Sequence, residues 1–113
     1  MHELAITEGI IRAAVPAAEK AGAKKILAIR LKIGELSGVF PEYIQEYFDM
    51  ASKGTIAEGA RLCVEKIPPA ICCPDCGFEG TIDRHKIKCP SCGSLHFRLT
   101  AGREYYVDSL EVE

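Results

Sequence analysis

The sequence of 113 residues lacks any apolar run long enough to cross a membrane. A transmembrane helix needs about 18 or more consecutive apolar residues, and no such stretch occurs. The residues that follow Met1 also lack the basic and then apolar segments of a secretory signal peptide. We therefore expect a cytoplasmic protein whose thiols stay reduced.

A surplus of positive charge is missing too. The sequence has 14 basic and 16 acidic residues, which gives a formal net charge of −2. Proteins that bind nucleic acid or anionic membranes usually present a basic surface. Arg84, His85, Lys86 and Lys88 form a small basic patch, but no wider basic face and no interleaved aromatic residues accompany it. Nucleic acid and membrane are therefore not expected as partners.

Motifs of catalysis are absent as well. The sequence contains no G-x-S-x-G turn, no P-loop, no G-x-G-x-x-G motif, and no carboxylate pair that can be assigned as acid and base. The expected activity is therefore binding rather than catalysis, and the protein is not expected to be an enzyme.

Cysteine is what the sequence does contain, in two matching turns. Cys73–Gly77 reads Cys-Pro-Asp-Cys-Gly, and Cys89–Gly93 reads Cys-Pro-Ser-Cys-Gly. Paired C-x2-C turns at this separation are typical of structural zinc, which four thiolates bind at the corners of a tetrahedron. A disulfide or another thiophilic metal is the alternative. The predicted zinc ligands are Cys73, Cys76, Cys89 and Cys92.

Two further cysteines, Cys63 and Cys72, are left outside this set. We interpret Cys63 as a small apolar residue of a strand and Cys72 as an incidental neighbour of the first turn. Zinc on four sulfur ligands has no open position for a substrate water, which again argues against a hydrolytic enzyme.

Hydrophobic periodicity predicts two helices and three main strands. Apolar residues recur at helical intervals in two segments and alternate in others. Pro16 lies inside the first helical pattern and lacks a backbone N–H, so we expect a kink there or two shorter helices. The last strand is expected to pair with the two earlier ones. The predicted helices span 4–21 and 41–54, and the predicted strands span 25–34, 61–67 and 104–113.

Pro68 and Pro69 end the second strand, because proline does not donate to a sheet. The expected fold class is α+β, with two helices on a three-stranded sheet and an inserted zinc-ribbon-like module. Residues 69–101 form this predicted module, and 1–68 plus 102–113 form the α/β domain. Inside the module we expect a small hairpin of residues 78–82 and 84–88.

The N-terminus offers a metal site of a different kind. The amine of Met1, the amide nitrogen of His2 and the His2 imidazole can close two fused chelate rings. Such a planar nitrogen set suits Ni(II) or Cu(II) better than zinc, and Glu3 adds a second amide and a carboxylate. The pattern is weak by itself, because a histidine at position two is common and chain termini are often frayed. His85 and His96 are expected to be surface residues of the zinc module.

A series of motifs resembles the HypA/HybF family. They are Met1–Leu4, Ile33–Val39, Gly54–Ala60, the two cysteine turns, and the ending from Gly102 to Glu113. They keep their order and span nearly the whole chain. Pro16 and Cys72 depart from the family pattern without touching a predicted metal ligand.

The resemblance implies a nickel metallochaperone that delivers nickel during maturation of nickel-iron hydrogenase. It implies transient nickel at Met1, His2 and Glu3, and structural zinc on the four cysteines of the turns. The fourth nickel ligand is open between the backbone or carboxylate of Glu3 and a distant histidine such as His96.

The resemblance also implies partners, namely a HypB-type GTPase and the hydrogenase large subunit, and in some family members urease maturation. The pattern leaves a monomer and a homodimer equally open. The alternatives to nickel delivery are a zinc-ribbon adaptor whose only metal is zinc and a nucleic-acid-binding zinc ribbon. The adaptor would take up no stoichiometric nickel.

Overall fold

The computed structural model describes residues 3–113. This part of the chain forms two helices and two three-stranded sheets, so the predicted α+β class is confirmed. None of its helices is long and apolar enough to cross a membrane. The helices are α1 (Glu3–Lys20) and α2 (Pro41–Ala51), and the strands are β1 (Ile26–Gly34), β2 (Arg61–Ile67), β3 (Ala70–Cys72), β4 (Glu79–Thr81), β5 (Arg98–Ala101) and β6 (Tyr105–Val112).

Helix α1 is continuous although Pro16 lies inside it, so the expected division into two helices is wrong. Both Pro16 and Arg12 are on the exposed side of the helix. Water can therefore bind the Arg12 carbonyl that loses its usual N–H partner, which lowers the cost of the proline. The opposite side is buried and packs against α2. Its buried residues are Thr7, Ile10, Ala14 and Ala18.

Helix α2 begins with Pro41 in its first turn, where a missing N–H costs little. Its apolar residues Ile44 and Phe48 are buried. The side chain of Gln45 connects this helix to the start of β2, because its Oε1 accepts a hydrogen bond from the Leu62 N–H at 2.8 Å. Its Nε2 donates to the Ala60 carbonyl at 3.3 Å. One amide side chain thus fixes how the chain leaves α2 and enters the sheet.

The first sheet has the order β2-β1-β6, so β1 is the central strand. Just before β1, Glu113 accepts a hydrogen bond from the Lys24 N–H and donates one to the Lys25 carbonyl, and at the other end the Gly34 N–H donates to the Glu104 carbonyl at 2.7 Å. These contacts make β1 and β6 antiparallel. The predicted sheet of these three strands is confirmed, but within it β6 pairs with β1 alone and not with both earlier strands.

Burial along β1 follows the predicted alternation only in part. Ile29, Leu31 and Ile33 are at most 1% exposed, as the alternation predicts. Leu27 is 40% exposed, whereas Ile26 is fully buried. The buried residues are therefore even-numbered at the beginning of the strand and odd-numbered from Ile29 to Ile33, which a strict period of two does not predict.

The second sheet has the order β4-β3-β5, with the short β3 in the centre. Ile71 of β3 lies opposite Gly80 on one neighbour and opposite Leu99 on the other, both antiparallel. The predicted hairpin was therefore wrong, because residues 78–82 contribute a strand that pairs with β3, and 84–88 form no strand. Periodicity cannot reveal a strand of three residues, and β3 was missed for that reason.

Contacts group the chain into two compact units. One contains the chain up to Lys32 together with Phe40–Glu65 and Tyr106–Glu113. The other, here called the cysteine unit, contains Ile33–Val39 and Lys66–Tyr105. The domain boundaries predicted from the sequence, 1–68 with 102–113 and 69–101, stay a prediction.

Within the cysteine unit, the segment that begins at Gly34 lies directly against the chain around Gly102. The Leu36 N–H donates to the Gly102 carbonyl at 2.8 Å, and the Gly102 N–H donates to Glu104 Oε1 at 2.7 Å. A Cβ added at Gly34 would overlap the Gly102 carbonyl and the Arg103 nitrogen. The close approach of two backbones therefore requires glycine at this position.

We predict that Gly34→Ala lowers the free energy of unfolding by about 1–3 kcal/mol, because backbone atoms must move to admit the methyl group. The matched control is Gly9→Ala in α1, where a Cβ would meet no atom within 4 Å. That change should stabilise the helix by about 0.5–1 kcal/mol. Denaturant unfolding of both variants at equal metal content measures the difference. Equal midpoints for the two variants would contradict the prediction.

Candidate metal centre

Each cysteine turn is closed by its own backbone hydrogen bonds. In the first turn the Gly77 N–H donates to the Cys73 carbonyl, and the Cys73 N–H donates to the Phe78 carbonyl, both at 2.8 Å. The second turn repeats the pattern, from Gly93 to Cys89 at 2.8 Å and from Cys89 to Ser94 at 2.9 Å. Gly77 and Gly93 have φ angles of 79° and 77°, which favour glycine. The repeated sequence therefore produces two equivalent turns.

The two turns bring four sulfur atoms together. The Sγ atoms of Cys73, Cys76, Cys89 and Cys92 all lie within 4.8 Å of one another. The Cys73 and Cys92 sulfurs are 3.7 Å apart, and those of Cys76 and Cys89 are 3.5 Å apart. Tetrahedral zinc with Zn–S distances of about 2.3 Å requires sulfurs about 3.8 Å apart. The donor set and its spacing fit zinc.

The four thiols are buried to different degrees. Cys73 and Cys89, the first cysteine of each turn, are 0% and 1% exposed. They form the core of the cysteine unit with Ile71 and Ile82, and the aromatic ring of Phe97 packs against this core. Cys76 and Cys92 are exposed. A metal held here is therefore part of the hydrophobic core on one side and reachable from water on the other.

The pKa values of Cys73, Cys89 and Cys92 are shifted in different directions. Burial raises the pKa of Cys73. Burial also raises the pKa of Cys89. Hydrogen bonds from backbone N–H groups of the second turn and from neighbouring thiols outweigh burial, so the pKa is lowered to about 7. The Ser94 N–H lowers the pKa of Cys92, but burial and the neighbouring thiols outweigh it and raise the pKa to about 12. Four adjacent thiolates therefore repel one another, and a divalent cation removes that conflict.

The two remaining cysteines lie outside the cluster. Cys72 faces across from β3 to β4, where its Sγ lies 3.6 Å from Glu79 Oε1. The next residue, Cys73, and not Cys72, supplies one of the four clustered sulfur atoms. Cys63 is half-buried in β2.

The predicted nickel ligands are described only in part, because Met1 and His2 lie outside the described residues. Glu3 is half-buried and begins α1. The other two histidines are exposed residues of the cysteine unit, as expected. His85 accepts a hydrogen bond from Arg84 Nε at 3.3 Å, and His96 Nδ1 lies 4.0 Å from Asp75 Oδ1.

Comparison with known families decides the assignment. A family model described as hydrogenase/urease nickel incorporation, metallochaperone, hypA matches residues 1–112. The chain belongs to the HypA family. The resemblance predicted from the sequence motifs is therefore confirmed, and the chain is a HypA-type nickel metallochaperone of hydrogenase maturation.

Curated relatives agree with this assignment, and solved structures share the fold. The hydrogenase maturation factor HypA of Methanothermobacter thermautotrophicus is 40% identical, over 100% of this chain and 98% of that protein. The HypA of Geobacter sulfurreducens is also 40% identical, with both chains fully covered. The solution structure of the Ni metallochaperone HypA from Helicobacter pylori is similar in fold, with a TM-score of 0.68, 24% identity, and coverage of 99% of this chain and 97% of that one. Another HypA solution structure gives a TM-score of 0.73 at 24% identity, covering 100% of this chain and 97% of that one.

We predict that Cys76→Ser in this HypA chain abolishes stoichiometric zinc binding and unfolds the cysteine unit. In zinc-finger peptides the metal contributes about 10–16 kcal/mol of apparent binding free energy, which the loss of one thiolate forfeits in large part. Cys72→Ser is the matched control, because a serine hydroxyl can still donate to Glu79 and the cluster keeps its four sulfurs. Metal analysis and circular dichroism distinguish the variants. A melting curve of Cys76→Ser that matches the parent would refute a folding role for zinc.

Proposed function

We propose that this chain receives Ni(II) at its N-terminus and passes it on during maturation of nickel-iron hydrogenase, while zinc stays on Cys73, Cys76, Cys89 and Cys92. Membership of the HypA family over residues 1–112 is the observation that carries the proposal. The four-sulfur cluster supports the division of roles between the two metals. Its two buried thiols belong to the core, so the metal there is built into the fold and unsuited to transfer.

The N-terminal residues supply the chemistry that nickel transfer needs. The Met1 amine, the His2 amide nitrogen and the His2 imidazole can close two fused chelate rings around one ion, a planar nitrogen set that Ni(II) accepts and zinc does not prefer. Glu3 lies in the first turn of α1, so its backbone nitrogen and its carboxylate directly follow the other two proposed ligands in sequence. Glu3 completes the proposed site with a backbone nitrogen or with this carboxylate. Ligands at a chain terminus can be exchanged one at a time with those of an acceptor protein.

The proposed zinc site has a structural role. Four thiolates leave no coordination position for substrate, so zinc there stabilises the cysteine unit and performs no hydrolysis. We accordingly propose that the protein itself is not an enzyme.

The proposed partners are a HypB-type GTPase and the hydrogenase large subunit, met in the cytoplasm as a monomer or homodimer. Urease maturation is a second process that the family description names. The net charge of −2 supports partners that are proteins and not nucleic acid or membrane. Helix α2 presents Tyr43 and Tyr47 at its surface, 58% and 37% exposed, and is the proposed contact surface.

We predict that His2→Ala weakens nickel binding by at least tenfold, since loss of an imidazole ligand removes one of two chelate rings; each factor of ten corresponds to about 1.4 kcal/mol. His85→Ala is the control, because this exposed histidine lies in the cysteine unit and outside the proposed site. Nickel titration followed by absorption spectroscopy, on zinc-loaded protein without a tag, gives both affinities. Undiminished binding by His2→Ala would rule out the imidazole as a ligand.

Two glycines added before Met1 test the terminal amine. A single added residue would not, because a free amine two residues before a histidine, with both intervening amide nitrogens and the imidazole, is itself a planar nitrogen site for Ni(II). The longer extension converts the Met1 amine to an amide and moves the free amine too far from His2 for either planar arrangement. We expect loss of the planar nickel spectrum with zinc content unchanged. If the extended protein keeps the parent affinity and spectrum, the amine is not a ligand. If the unextended parent binds no stoichiometric nickel, the zinc-only adaptor is the better interpretation.

A further inference from the structure

The two cysteine turns are joined by a hydrogen bond that involves no sulfur atom. The hydroxyl of Ser94, just after the second turn, donates to Asp75 Oδ2 in the first turn at 2.6 Å. A hydroxyl that donates to a carboxylate at this distance makes a charge-assisted hydrogen bond, among the stronger kinds in proteins. The two residues are 19 positions apart in the sequence. The bond therefore joins the two turns directly, in addition to the core that Cys73 and Cys89 share.

The direction of this bond is set by a neighbouring amide. Ser94 Oγ accepts a hydrogen bond from the His96 N–H at 3.0 Å. Because the oxygen is already an acceptor there, its own hydrogen is available for Asp75. The Ser94 side chain is thus held from one side and points its proton towards the first turn.

Both residues also contact the zinc ligands through their backbones. The Asp75 N–H donates a hydrogen bond to the Cys73 sulfur, and the Ser94 N–H donates to the Cys92 sulfur. Those two sulfurs are 3.7 Å apart. Asp75 and Ser94 therefore close a ring that runs from one sulfur, through both side chains, to the other sulfur.

We propose that Asp75 and Ser94 form a clamp that holds the two cysteine turns at the separation zinc requires and slows release of the metal. The inference rests on the proposed zinc site. Zinc leaves such a cluster when one turn swings away from the other, and Cys76 and Cys92 are the exposed thiols at which a chelator can begin. The clamp opposes that opening, so Asp75 and Ser94 are positioning residues and not ligands.

The test measures how fast zinc passes from the zinc-loaded full chain to an excess of a chromogenic chelator. Loss of a group that orients a metal ligand typically costs 10–100-fold in metal affinity. Asp75 is half-exposed to water, which places the expected effect at the low end of that range. We therefore expect about tenfold faster release from Asp75→Ala and from Ser94→Ala. The double variant should be no faster than either single variant, because both changes break the same bond.

Conservative variants separate the bond from other effects. Asp75→Asn keeps an acceptor oxygen and Ser94→Thr keeps the hydroxyl, so each should release zinc within about twofold of the parent. Asp83→Ala is the matched control, because this carboxylate accepts the His85 N–H at 2.8 Å within its own loop. Cobalt-loaded protein provides a second readout, since thiolate-to-metal absorption bands should change in the alanine variants and persist in the conservative ones. This readout also applies if an alanine variant cannot be recovered with zinc.

The outcomes separate this inference from the proposed function. A parent protein that holds no zinc would refute the zinc site itself. A zinc-loaded parent whose alanine variants release zinc at the parental rate would overturn the clamp alone. Release from the double variant that is faster by the product of the two single effects would also overturn the clamp, because it would indicate two independent effects. Release from Asp75→Asn as fast as from Asp75→Ala would overturn it too, because it would indicate a general effect of charge.

Discussion

Four thiols that meet within 4.8 Å are the constraint on which the cysteine unit depends. The core around them is small, with Ile71 and Ile82 as its buried aliphatic residues beside Cys73 and Cys89. Two of the four metal ligands are thus also core residues. A core of this size supplies little hydrophobic stabilisation, and thiolates at such distances repel one another. A zinc ion bound by the four thiolates would resolve both problems at once.

The burial of two zinc ligands also distinguishes the two metals of the proposed mechanism by how easily each is released. A site whose ligands belong to a core releases its metal only when that core opens. A cargo metal has to be given up on contact with an acceptor, so its ligands belong at a place where exchange disturbs no packing. In the proposed mechanism the cargo ligands are residues 1–3, and the helix that begins at Glu3 is anchored by a buried side that packs against α2. The proposed division between a permanent zinc site and an exchangeable nickel site therefore rests on the burial of two of the zinc ligands.

Backbone contacts, and not side-chain burial alone, define the edge of the cysteine unit. Gly34 lies against the backbone at Gly102, and the Glu35 N–H donates to the Ile67 carbonyl at 2.9 Å. Residues 33–39 therefore belong to the cysteine unit although they follow directly on β1 in sequence. No pattern of apolar residues reports such a contact, because the atoms involved are present in every amino acid.

The sequence by itself determined whatever depends on local spacing: both helices, the long strands, the two equivalent turns and the identity of the four clustered cysteines. Spacing is sufficient there because helical period, strand alternation and turn closure are properties of a few consecutive residues. Tertiary structure decided that β1 is central, that β6 pairs with it alone, and that three residues at Ala70–Cys72 form the middle of a sheet. It also decided that Pro16 is tolerated inside α1 and that Asp75 meets Ser94, because solvent exposure and contacts between distant residues exist only once the chain is folded.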